Sequence, residues 1–152
     1  MPFFYSRALG QGPDLVSLHG LFGQGANLRS VVRALGTDFR VNCLDLPDHG
    51  RSLWLTKASL ATYAAAVRDW LDQQALPTAH GLDHSLGNKV AMELALTEAS
   101  QAGKLVVADM ALAVHAQRHQ VTLYTLQQVA ARGCQTRAEA EELLGEVIHD
   151  PG

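Results

Sequence analysis

Leu82-Asp83-His84-Ser85-Leu86-Gly87-Asn88-Lys89 is the stretch that decides the fold. It joins a weak strand-like run at 79–84 to a helical stretch at 86–99, where Val90, Met92, Leu94 and Leu96 supply apolar surface. A serine at such a junction has two readings. It can cap the helix by satisfying an orphan N–H, or it can serve a ligand site at the end of the strand. The neighbours choose between them.

Upstream, Leu60, Tyr63, Ala64, Val67 and Leu71 fall on one face of a predicted helix over 60–75, with Ser59 as its cap. Val41, Cys43 and Leu44 mark a strand over 39–46. A helix is expected over 26–35, stopped by Gly36, and a strand at Leu15-Val16-Ser17-Leu18. Residues 3–8 are expected to form a first strand. Downstream, Gly103 is expected to end the 86–99 unit, and Leu105-Val106-Val107 carries a buried-strand signature. Strands alternating with helices predict an α/β fold with a mostly parallel sheet and flanking helices. Right-handed crossovers then bring the strand C-termini to one rim, where such sheets bind ligands.

Each predicted strand delivers a polar or glycine-rich cluster to that rim. In order these are His19-Gly20-Leu21-Phe22-Gly23, Asp45 with His49-Gly50-Arg51-Ser52, His84-Ser85-Leu86-Gly87, and Asp109. After residue 119 the pattern changes to two predicted helices, 120–132 and 136–149, with no strand between them.

Composition narrows the class. Of 152 residues, 47% are hydrophobic and 18% charged, which suits a packed globular domain. The net charge of -3 argues against a broad basic surface for nucleic acid or anionic membranes. Cys43 and Cys134 match no zinc or redox spacing, and Cys43 reads as a buried thiol. No metal site is indicated. The start of the chain lacks a signal peptide's pattern, and no apolar run is long enough to cross a bilayer, so a cytoplasmic protein is expected.

The ordered rim clusters resemble the α/β-hydrolase family, and within it the small intracellular esterases of the YbfF type. The resemblance rests on His19-Gly20-Leu21-Phe22-Gly23, Asp45, His49-Gly50 with Ser52, His84-Ser85-Leu86-Gly87 with Lys89, and Lys104-Leu105-Val106-Val107 with Asp109 and Arg118-His119. It implies that Ser85 is the nucleophile, that the Leu21 and Leu86 amides hold the oxyanion, and that His19 and Gly20 shape the substrate side. Asp109 is implied as the acid that orients a base histidine. Asp45 and His49 are implied to be structural, and His84 to pack beneath the nucleophile. The substrate is then a small-molecule carboxylic ester or thioester, with no cofactor.

The chain departs from the family pattern in places. Asp83 stands where Gly-x-Ser-x-Gly has its first glycine, Gly81 stands at a usually large apolar position, and Asn88 replaces a frequent glycine. Family members continue through a helical cap and two more strand–helix units before the base histidine. The resemblance therefore implies a C-terminally truncated core over 1–119 and the start of a helical cap or lid over 120–152. None of the seven histidines occupies the usual base position, so a histidine outside this chain is expected to act as base, with His115 or His119 as the substitutes within it. The strand at 104–109 is then expected to be an exposed edge that invites self-association. A catalytically inactive copy of the fold, acting by association, is the alternative. A dinucleotide site is a third reading, but Gly20-x-x-Gly23-x-Gly25 is not the order Gly-x-Gly-x-x-Gly that such a site uses.

Overall fold

The structure is a computed structural model that describes residues 4–108 and 120–147. The chain divides into two compact units, Met1–Ala111 and Leu112–Gly152.

The first unit is built on a five-stranded sheet. Its strands are β1 (Ser6–Leu9), β2 (Asp14–Leu18), β3 (Arg40–Leu44), β4 (Ala79–His84) and β5 (Ala102–Ala108). They lie in the order β1-β3-β2-β4-β5. All neighbours pair in parallel except β1, which runs antiparallel to β3. β2 and β3 are buried almost throughout, as central parallel strands require when both faces are covered.

The period of two sorts their side chains. Val16, Leu18, Leu44 and Leu46 join one core with Tyr63, Val67, Trp70, Leu71, Val90 and Leu94. Leu15, Val41 and Cys43 face the other way and pack with Val32. Helices α2 (Leu60–Gln73) and α3 (Leu86–Thr97) thus supply the first core, and α1 (Arg29–Leu35) the second. A short 3-10 helix, Gly25–Leu28, leads into α1. Ser59 caps α2 as expected: its Oγ accepts from the Thr62 N–H at 3.1 Å.

Two expectations change. Gly103 lies inside β5 rather than ending the preceding unit. A side chain there would stand 2.8 Å from His80 Nδ1 and 2.9 Å from the Ala79 carbonyl, so glycine permits the irregular β4–β5 register. The buried-strand signature of β5 is realised only in part. Among the described strands β5 pairs on one side alone, and Val106 is 54% exposed.

In the second unit, α4 (Gln120–Arg132) packs against α5 (Arg137–Val147). Gly133, at φ 64°, ends α4 in the left-handed conformation that glycine adopts freely. Among the described residues no helix is long and apolar enough to cross a membrane.

Candidate active site

Ser85 stands between β4 and α3 with φ 51° and ψ −108°. That backbone is strained for any residue with a Cβ, and such strain gathers at functional sites. Its side chain makes no capping hydrogen bond to α3. The cap reading therefore fails, and the half-buried hydroxyl is left at the turn.

The turn is sharp because α3 sits very close to β2. A Cβ on Gly87 would lie 2.4 Å from the Leu18 carbonyl oxygen and 2.7 Å from Leu18 Cβ. The Gly87 N–H also donates to the His19 carbonyl at 3.1 Å. On the other side, a Cβ on Gly20 would lie 2.9 Å from His84 Nδ1 and 3.3 Å from Ser85 Cβ. Gly20 and Ser85, remote in sequence, are thus neighbours. His84 itself is exposed rather than packed beneath the serine, because the elbow turns it outward at the end of β4.

His19 is a brace. It is 1% exposed, its Nδ1–H donates to the Gly20 carbonyl at 2.8 Å, and its Nε2 accepts from the Leu46 N–H at 3.0 Å. Accepting at Nε2 requires the neutral ring, and burial lowers its pKa in agreement. The Gly23 N–H donates to the same Gly20 carbonyl at 3.0 Å. In a trans peptide the next N–H points opposite to the carbonyl. Pinning the Gly20 carbonyl therefore turns the Leu21 N–H away from His19. The same geometry acts at Leu86, where the Ser85 carbonyl accepts from the Lys89 N–H at 3.4 Å. Among the described residues, neither the Leu21 nor the Leu86 N–H has a hydrogen-bond acceptor.

Asp45 holds the loop behind this site. Its carboxylate accepts from the Gly25 N–H at 2.8 Å and the Arg51 N–H at 3.0 Å. Ser52 Oγ donates to the Asp45 carbonyl at 2.6 Å, and the His49 ring lies tilted at 60° to that of His19 with centroids 5.1 Å apart. Asp109, His115 and His119 lie outside the described residues.

The two departures at Asp83 and Gly81 explain each other. Residues i and i+2 share a face of a strand. A Cβ on Gly81 would lie 2.7 Å from Asp83 Oδ2, so the absent side chain makes room for the carboxyl. Asp83 is 2% exposed, and its Oδ1 accepts from the Leu18 N–H at 2.9 Å. Among the described residues its Oδ2 has no partner, and Asp83 lines a cavity of about 40 Å³ with His80 and Lys104. Burial pushes its pKa well above the carboxylate range, opposed by the Leu18 N–H.

A pH dependence follows. The folded state binds the Asp83 proton more tightly than the unfolded state does. Stability from this group is complete below the unfolded pKa of about 3.9 and is lost as pH rises toward the folded value, at up to about 1.4 kcal/mol per pH unit. Urea unfolding of the wild type and Asp83→Asn across that range is expected to show the wild type losing ground as pH rises. Parallel pH profiles would refute the coupling.

Asn88 is the residue that sequence reading undervalued. It is fully buried, and its Nδ2 donates to the Ala108 carbonyl at 2.7 Å. It thereby ties α3 to the C-terminal end of β5. Only a polar residue one place after the elbow glycine hinted at this.

A strained serine at a strand–helix elbow, a glycine-braced loop beside it and this strand order define an α/β-hydrolase fold. No family model matches the chain. It is 30% identical over 139 residues to the esterase YbfF of Escherichia coli (strain K12), covering 91% of this chain and 55% of that protein. It is 41% identical over 97 residues to a pimeloyl-[acyl-carrier protein] methyl ester esterase of Vibrio vulnificus, covering 64% of this chain and 36% of that one. Among solved structures, a marine microorganism esterase superposes with a TM-score of 0.92 at 28% identity, covering 99% of this chain and 60% of its own. The chain spans about half the length of these relatives, or less, and matches their N-terminal portion.

Proposed function

We propose that this chain supplies the nucleophile and oxyanion donors of a serine hydrolase acting on carboxylic esters, thioesters among them. The observation that carries the reading is the Ser85 backbone, strained at φ 51° with its side chain free of any capping bond. The esterase names of its relatives support the same chemistry.

In this reading Ser85 Oγ attacks the ester carbonyl while a base takes its proton. Charge gathers on the carbonyl oxygen and meets the Leu21 and Leu86 N–H groups, already oriented before the reaction starts. The N-terminus of α3 adds its dipole at the same point. Collapse expels the alcohol or thiol and leaves an acyl-serine, which water then hydrolyses. The base is a histidine oriented by Asp109, and the helices after residue 119 are the start of a helical cap or lid.

A fluorophosphonate probe read by intact mass tests the proposal. One adduct per wild-type chain is expected, with none on Ser85→Ala. A folded wild type that takes no label would overturn the proposal and leave a hydrolase scaffold without its chemistry.

A further inference from the structure

A second concave site lies away from Ser85, between β1, the loop after β3, and α1. It is a groove of about 460 Å³. Arg7 of β1, Arg51 of the β3 loop, and Arg29 and Arg33 of α1 all line it. Four of the chain's 12 lysine and arginine side chains thus meet in one groove of a protein with net charge -3.

Neutralising partners are scarce. Among the described residues none of these four guanidinium groups pairs with a carboxylate. The one acidic lining residue, Asp45, is 3% exposed and already accepts two backbone N–H groups. Arg29 and Arg33 are four apart on one helix, a spacing at which like charges repel. Arg51 is preorganised: its Nη1 donates to Tyr5 Oη at 3.0 Å, and its guanidinium lies 4.7 Å from the Tyr5 ring centroid.

We infer that this groove binds a small ligand bearing two or more phosphoryl groups. Guanidinium forks match phosphate oxygens in pairs, and cations drawn from three separate elements suit a ligand with more than one anionic group. A bound polyanion also removes the Arg29–Arg33 repulsion. The site shares no side chain with the Ser85 elbow, so its test does not depend on the hydrolase reading.

The probe is inorganic pyrophosphate, titrated calorimetrically into the intact chain at low and high salt. Saturable binding that weakens with salt is expected. The double variant Arg29→Gln/Arg33→Gln should weaken it by about tenfold, and Arg51→Lys, which keeps the charge but loses the fork, by about threefold. Arg68→Gln, on α2 and outside the groove, should leave it unchanged. Circular dichroism establishes that each variant is folded, and the groove variants alter exposed side chains only. No wild-type binding, equal binding in the groove variants, or citrate binding as tight as pyrophosphate would overturn the assignment.

Discussion

Ser85→Gly is expected to lose all fluorophosphonate labelling and to gain about 1 kcal/mol of stability. The two effects share one cause. A residue with a Cβ held at φ 51°, ψ −108° stores about 1–3 kcal/mol, because the side chain crowds the adjoining peptides. Glycine takes this conformation without that crowding, although its freer unfolded chain offsets about 0.4–1 kcal/mol. Ser85→Ala is the informative control. It removes the hydroxyl but keeps the Cβ, so it should lose labelling without the gain in stability. Urea unfolding of the three proteins separates the cases. A glycine variant no more stable than the alanine variant would mean that the elbow stores no more strain than the freedom of glycine's unfolded chain offsets. Labelling that survives in either would remove Ser85 from the chemistry.

Gly87→Ala acts in the opposite direction and should destabilise the chain by about 1–3 kcal/mol. The added methyl would meet the Leu18 carbonyl oxygen at 2.4 Å, and a backbone atom inside a sheet cannot rotate aside. α3 must lift off β2, which also strains the Gly87 N–H to His19 carbonyl bond. Because that bond ties the elbow to the loop carrying Leu21, labelling should fall with stability. Gly145→Ala supplies the contrast. Gly145 sits in α5 with nothing within 4 Å of a built Cβ, so alanine there should stabilise by up to about 1 kcal/mol through helix propensity. Thermal unfolding of the pair measures both signs. A Gly87→Ala chain as stable and as reactive as the wild type would mean that the close approach of α3 to β2 is not needed.

Much of the scaffold could be read along the chain. Leu60, Tyr63, Ala64, Val67 and Leu71 announced α2, and Ser59 announced its cap, because helix periodicity and capping depend on residues a few places apart. The order of the rim clusters along the chain places Ser85 at a strand–helix turn. The role of His19 as a brace was less accessible. Its partner Leu46 lies on the far side of α1 in sequence, and only the pairing of β2 with β3 brings the two together.

The departures at Gly81 and Asp83 looked like two defects in sequence and form one fitted pair in space. Alternation along β4 puts them on the same face, but the empty position matters only because Leu105 of β5 closes the other side of it. Asn88 gained its partner in the same way, from the neighbouring strand.

Local periodicity, turn chemistry and the order of the rim motifs settled the fold class and the place of Ser85 at a strand–helix turn, since each works within a few residues. The tertiary structure decided that Ser85 is strained rather than capping, that Asp83 is buried without a second partner, and that four arginines share one groove. The first two depend on β4 lying beside β2, and the groove on β1 returning antiparallel beside β3, and so on contacts between segments that chain order leaves far apart.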